Sequence, residues 1–198
     1  DFMYSNASYS MAALILEKAT GLSYKQLVEN YINGGMKINT IFGFPNKYNA
    51  KQPWGHMING KNLETFAPEC EYVLPALISS AGDLSLTPLM FAEYLIENLR
   101  GFKGESNFLK KDSFDFLHFG NKTFSIGLAN GKILGKKFSG MDGSAGTFFC
   151  RAIFFSDSDL ALLIMTNAGT STGRMKSVDW LTMKIIKEIF NLRWKFWI

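Results

Sequence analysis

Apolar residues recur at helical spacing from Asn6 to Ala19, where Tyr9, Ala12, Ala13 and Leu16 form a stripe, and Thr20-Gly21 supplies a stop in which glycine can take the left-handed capping conformation. Ser23 then predicts an N-cap for a second helix, Tyr24 to about Ile32, with Leu27, Val28 and Tyr31 on one face and Asn33-Gly34-Gly35 ending it. Residues 36–80 show neither helical nor strand period. Glycine, proline and asparagine punctuate them at short intervals, from Gly43 and Pro45 to Pro68 and Pro75, which predicts a long irregular excursion of the kind that carries or covers a site. Thr87-Pro88 starts a further helix, with Phe91, Leu95 and Leu99 on its apolar face, running to Gly101; a shorter helix covers Asp112 to Phe119.

The period changes after residue 121. Lys122–Leu128 and Lys132–Phe138 flank Asn130-Gly131, a pair that tolerates positive φ and so predicts a tight hairpin. Thr147–Phe155 and Asp159–Asn167 are two more strand-like runs, joined at Ser156-Asp157, and together these segments predict an antiparallel meander. A closing helix, about Met175 to Phe190, places Val178, Leu181, Ile185 and Ile189 on the face that should lie across the sheet. The expectation is one α+β domain over residues 1–198, an antiparallel sheet flanked by helices. Residues 1–120 are mainly helical and irregular, and residues 121–198 hold the meander and the last helix.

Composition narrows the functional classes. Of the 198 residues, 47% are hydrophobic and 15% aromatic, enough to bury a substantial core and too many for a disordered segment. The net charge of +4 comes from scattered lysines whose tightest clusters are Lys110-Lys111 and Lys136-Lys137, which argues against nucleic acid as a partner. Two cysteines, Cys70 and Cys150, allow one disulfide but do not require it, and Cys150 reads as a small buried hydrophobe on its strand. His56 and His118 fit no metal-ligand spacing and read as surface or partly buried polar residues, so no metal and no cofactor is expected. No apolar run is long enough to span a bilayer and no signal peptide is visible. The tail Leu192-Arg-Trp-Lys-Phe-Trp-Ile198 alternates apolar with basic residues; docking on the core and anchoring to a membrane or partner are its two readings.

Two motifs fail on inspection. Gly55 to Asn62 nearly spells a phosphate-binding loop, but Asn62 stands where a magnesium-binding hydroxyl is needed and Pro68 breaks any helix behind it. No Gly-x-Ser-x-Gly elbow occurs either, since Asp142 lies two residues before Ser144.

One constellation survives. Tyr4-Ser5-Asn6 stands immediately before the first helix, which closes with Leu-Glu-Lys-Ala-Thr-Gly21, followed by Ser23-Tyr24, Gly35-Met36 and Thr40. Ser80-Ala-Gly-Asp-Leu84 with Thr87-Pro88 follows, then Gly140-Met-Asp-Gly-Ser-Ala-Gly146 ahead of Leu160 to Asn167. In order and spacing these stretches resemble the serine β-lactamase-like superfamily, in the branch of class C β-lactamases, D-alanyl-D-alanine carboxypeptidases and esterases. The likeness runs from Tyr4 to about Phe190.

The resemblance implies a β-lactamase/transpeptidase-like fold, incomplete at the N-terminus, and metal-free acyl transfer through an acyl-enzyme on a small-molecule or peptide-like ester or amide. It makes Tyr4 the phenol that helps activate a serine, and Asn6 the amide that orients the catalytic lysine and the substrate. The Ser144 backbone N–H becomes half of an oxyanion hole, with Gly143 leaving room for the acyl group. The family's nucleophile is the serine of Ser-x-x-Lys, and no serine or threonine here has a lysine three residues later. The expectation is therefore a C-terminal portion of a longer protein, or a paralogue without the segment that serves as a binding or scaffold protein. Met141 occupies the family's Lys/His position and Asp142 follows it, which disfavours an anionic substrate and favours a neutral ester or amide. Relatives of this kind work in the periplasm, at the envelope or outside the cell; oligomeric state is left open.

Overall fold

Ser5 opens the fold by accepting a hydrogen bond from the Ser8 amide at 3.2 Å, and α1 (Asn6–Thr20) runs from this cap to Gly21, whose φ of 72° ends it. This computed structural model describes residues 4–191. The tail reading falls on 192–198, outside the described residues. Ser23 and Gln26 form a reciprocal capping box at the start of α2 (Tyr24–Leu27), which continues without a break through a π-helical stretch, Val28–Asn33, into α3 (Gly34–Met36). Gly34 and Gly35 therefore do not end the helix. Lys37, at φ 55°, does, and Gly35 is small because a Cβ there would lie 2.7 Å from the Phe108 ring.

The excursion is more ordered than its composition predicts. It contains β1 (Ile41–Phe42), α4 (Pro45–Tyr48), the hairpin β2 (Gly55–Asn59) and β3 (Asn62–Phe66), a short 3-10 turn at Ala76–Ile78, and α5 (Ser79–Gly82). The rejected phosphate-loop match is strand β2 and its turn, with Gly60 at φ 62°. β4 (Leu84–Ser85) pairs back onto β1. α6 (Pro88–Lys103) starts at the Thr87 cap as expected but passes through Gly101 to end at Gly104, φ 77°. Gly101 is a packing glycine: a Cβ there would stand 2.2 Å from the Phe114 ring of α7 (Lys111–Phe119).

The second half forms an antiparallel meander of β5 (Ala129–Ile133), β6 (Lys136–Ser144), β7 (Phe149–Phe155) and β8 (Leu160–Thr166). Its first turn is not at Asn130-Gly131. Those residues lie within β5, opposite Ser139 and Phe138, and the turn falls at Leu134-Gly135, with φ of 50° and 82°. Asn130 is held in the strand because its side-chain amide donates to the carbonyls of His118 and Asn121, so tertiary bonds override the local turn preference. β9 (Ala168–Thr170) then pairs in parallel with β2, which ties the excursion to the end of the meander.

Both faces of the meander are covered. Ala152 and Phe154 of β7 pack with Phe91, Leu95, Phe102 and Phe114 beneath α6 and α7. On the other face, Phe149, Ile153 and Phe155 meet α8 (Lys176–Ile189) through Val178 and Ile186. α8 buries Val178, Thr182 and Ile186, while Leu181 and Ile189 of the expected face are exposed; the helix is rotated so that Thr182 and Asp179 reach Arg151. At roughly 1.5–3 kcal/mol for each fully buried apolar side chain, these layers dominate the stability of the fold. Cys70 and Cys150 are both free thiols, and burial pushes the Cys150 thiol up from its ordinary value.

Candidate functional site

The chemistry-bearing end of β6 is the end that outruns its partner. The β5–β6 ladder stops at Ala129 opposite Gly140, whereas the β6–β7 ladder continues through Met141, Asp142 and Gly143 to Ser144 opposite Phe149. Among the described residues, therefore, Met141 to Ser144 pair with a strand on one side only, and that stretch has a free backbone edge. Glycines stand on either side of Met141 and Asp142. A Cβ on Gly140 would lie 2.6 Å from the Ala152 carbonyl oxygen, and one on Gly143 would lie 2.8 Å from the Cys150 sulfur.

Side chains alternate along this strand. Met141 points to the layer of α6 and α7 and packs beside their apolar cluster, so the position read as a Lys/His site is filled by a half-buried thioether. Asp142 points to the opposite face, where Arg151 donates to both of its oxygens at 2.7 and 2.6 Å. The same guanidinium reaches Asp179 at 2.9 Å and Thr182 at 3.3 Å, and these carboxylates raise its pKa above the ordinary arginine value. Asp142 is thus a neutralised structural partner, and its charge is not free to repel a substrate as the bare sequence suggests.

Ser144 closes the turn after β6: its hydroxyl donates to the Phe148 carbonyl at 3.0 Å and accepts from the Gly146 amide at 3.1 Å. The excursion packs against this turn. Tyr72 donates its phenol to the Ala145 carbonyl at 2.8 Å, and Phe44 lies between the Tyr72 and Phe148 rings, at 5.6 and 6.1 Å.

Tyr4 and Asn6 form the second group. The Tyr4 phenol donates to Asn6 Oδ1 at 2.8 Å on the exposed approach to α1, and Tyr4 is 66% exposed. Among the described residues no hydrogen bond or ion pair joins this couple to β6. The excursion links them instead, since Ser10 of α1 donates to the Leu77 carbonyl at 2.5 Å while Tyr72 holds Ala145. The five-residue step from Tyr72 to Leu77 spans at most about 18 Å, so one short segment of the excursion carries a bond to α1 at one end and a bond to the turn after β6 at the other.

Sequence reasoning missed one polar cluster. His118, read as surface or partly buried, is fully buried, with Nδ1 2.6 Å from Ser139 Oγ and Nε2 2.9 Å from Asn98 Oδ1. The Asn98 amide nitrogen is committed to the Tyr94 carbonyl, so Nε2 carries the proton and donates to Oδ1, and Nδ1 accepts from Ser139. Serine, imidazole and amide stand in the order of a nucleophile, its base and an orienter, but the Phe102 and Phe154 rings enclose the imidazole at 4.6 and 4.9 Å and no substrate can reach it. The signal available in the sequence was only the helical spacing of His118 with Phe114 on α7. Among the described residues no group of three His, Cys, Asp or Glu side chains is placed to hold a metal ion.

No family model and no curated protein matches the chain. Solved structures do match its fold. The D-amino acid amidase from Ochrobactrum anthropi SV3, complexed with D-phenylalanine, superposes with a TM-score of 0.78 at 18% identity, covering 98% of this chain and 59% of that one. The octameric penicillin-binding protein homologue from Pyrococcus abyssi gives 0.74 at 20% identity, covering 96% and 43%. A class C β-lactamase gives 0.71 at 15% identity, covering 98% and 58%. The chain spans about half the length of these structures, and over that span it has the fold of the serine β-lactamase-like superfamily.

Proposed function

We propose that this chain supplies one wall of a serine-hydrolase site of the β-lactamase-related type, acting by acyl transfer on a neutral ester or amide. The observation that carries the reading is the free edge of β6 from Met141 to Ser144, beyond the reach of β5. There the Ser144 N–H serves as one oxyanion donor, Gly143 keeps the strand bare enough for an acyl group to lie along it, and Tyr4 and Asn6 act as the proton-handling phenol and the orienting amide. Met141 brings no cation, and Asp142 is already neutralised by Arg151, so the wall offers little attraction to an anion and little penalty to a neutral substrate. The reacting hydroxyl has to come from a Ser-x-x-Lys segment, and this sequence contains none. The lack of a free charged side chain at Met141 and Asp142 fits a second reading, a binding protein that holds a peptide-like ligand at this strand edge without turnover.

Backbone amide spectra of the chain, titrated with a neutral ester or amide and with a benzylpenicillin control, test the wall. Shifts at Ser144, Gly143, Tyr4 and Asn6 with the neutral compound are expected; shifts confined to other parts of the chain overturn it. A fluorophosphonate probe followed by intact-mass measurement should leave this chain unlabelled, and a stoichiometric adduct would remove the premise that the nucleophile comes from elsewhere.

A further inference from the structure

Helix α1 has its polar side inward and its apolar side outward. Of the stripe Tyr9, Ala12, Ala13 and Leu16 only Ala13 is buried, and the other buried residue of the helix is Ser10. Ser10 donates to the Leu77 carbonyl at 2.5 Å and Glu17 accepts from the Tyr24 amide at 2.6 Å, so polar groups fasten α1 to the rest of the chain. The opposite side carries Met11, Leu14, Ile15 and Leu16, which are between 52 and 63% exposed, and among the described residues Lys18 is the one exposed charge on the helix. A helix that met only water on that side would have these residue classes exchanged. Contiguous apolar surface of this kind marks an interaction site.

The last strand of the meander is bare in the same sense. Among the described residues β8 pairs with β7 alone, and Leu160–Thr166 contains no charge and no proline, the devices that protect a free edge. The two bare surfaces lie toward opposite margins of the sheet. A Cβ on Gly127, just ahead of β5, would stand 3.1 Å from the Tyr9 hydroxyl of α1, whereas β8 closes the other margin.

We propose that the outward face of α1, from Met11 to Leu16, is the seat of an apolar helix belonging to a segment of polypeptide encoded ahead of Asp1. That this segment also brings the Ser-x-x-Lys hydroxyl rests on the hydrolase reading above; the seat itself does not. The occupant follows from both bare surfaces together. A bilayer offers no backbone partner to the edge of β8. A second copy paired edge to edge through β8 would leave α1, toward the other margin, uncovered. Additional polypeptide can supply both a helix and a strand, and the solved structures with this fold carry about as much chain again outside the matched span. A segment ahead of Asp1 is tethered a few residues from the first turn of α1, so it meets this face at high effective concentration and beside Tyr4 and Asn6.

The segment encoded immediately ahead of Asp1, produced as a separate polypeptide and titrated into the full chain, tests the seat. A one-to-one complex by light scattering is expected, with shifts of the Met11, Leu14 and Ile15 methyl signals. Met11→Lys and Ile15→Lys should each weaken the complex by about tenfold or more. Both side chains are exposed, so the variants should keep the circular-dichroism signal of the parent, and Leu63→Lys, at an exposed apolar position on β3, should bind like the parent. No complex, no coding sequence ahead of Asp1, or a complex that both α1 variants form as well as the parent would each overturn the proposal. Self-association of the chain that Ile15→Lys abolishes would overturn it in favour of a second copy, and uptake by phosphatidylcholine vesicles through the same residues in favour of lipid. A fluorophosphonate probe on the complex separates the seat from the chemistry. A complex seated on α1 whose added segment stays unlabelled upholds the seat and removes the hydrolase reading; labelling that Met11→Lys and Ile15→Lys leave unchanged upholds the hydrolase reading and removes the seat.

Discussion

His118 Nδ1 and Ser139 Oγ lie 2.6 Å apart inside the aromatic layer between α6, α7 and the sheet, and Ser139 donates this bond to an imidazole that burial keeps neutral. Burial pushes the His118 pKa down from 6.5 to about 4. A group depressed in this way destabilises the fold once the unfolded chain can take up its proton. Stability is therefore full above pH 6.5 and falls as the pH drops from there toward 4, by roughly 3 kcal/mol in all. Urea midpoints measured between pH 7.5 and pH 4 should show this limb, and a midpoint unchanged down to pH 5 would contradict it.

Removing the other partner tests the same bond at neutral pH. Ser139→Ala leaves Nδ1 buried without a donor and should cost about 1–3 kcal/mol, measured by denaturant unfolding.

The clamp of Arg151 on Asp142 and Asp179 joins β6, β7 and α8 through one guanidinium that is only 16% exposed. Arg151→Met should destabilise the protein by about 2–4 kcal/mol, since it leaves two carboxylates facing each other, and Arg151→Lys should recover little because an ammonium cannot hold Asp142 through two parallel bonds. Thermal unfolding of both variants reads this out, and full recovery by lysine would disprove the bidentate role.

Two helical glycines should respond with opposite signs. A Cβ on Gly34 meets nothing closer than 3.6 Å, so Gly34→Ala should raise stability by about 0.5–1 kcal/mol. Gly101→Ala drives its methyl into the Phe114 ring, which is buried with no room to move, and should cost about 1–3 kcal/mol despite better helix propensity. Calorimetry on the pair decides it.

Much of this arrangement is legible in the sequence, and the failures share a cause. Ser23, Thr87 and Gly21 mark helix ends because their capping bonds are made within a turn, and β7 and β8 show as apolar runs, whereas the strand read at Lys122–Leu128 does not form and β5 and β6 fall at Ala129–Ile133 and Lys136–Ser144. Asn130-Gly131, Gly34-Gly35 and Gly101 mislead because each answers to a distant partner: the His118 carbonyl, the Phe108 ring and the Phe114 ring. At the candidate site, the order of Tyr4, Asn6 and Gly140 to Ser144 can be read from the chain. That Met141 and Asp142 diverge to opposite faces, and that Arg151 absorbs the carboxylate, depends on strand register and on the rotation of α8, neither of which a motif encodes.

The parallel pairing of β2 with β9, His56 opposite Ala168, has a kinetic consequence. Its two strands are separated by most of the chain, so the loop between them must close before the contact yields anything, and a segment that depends on such closure assembles late. The lobe around β2 and β3 should open as a unit ahead of the meander, exchanging its amide hydrogens and admitting proteases while the sheet beneath stays shut. Since the segment after that lobe supplies the Tyr72 bond to Ala145, its breathing would set how often the turn after β6 is held from behind.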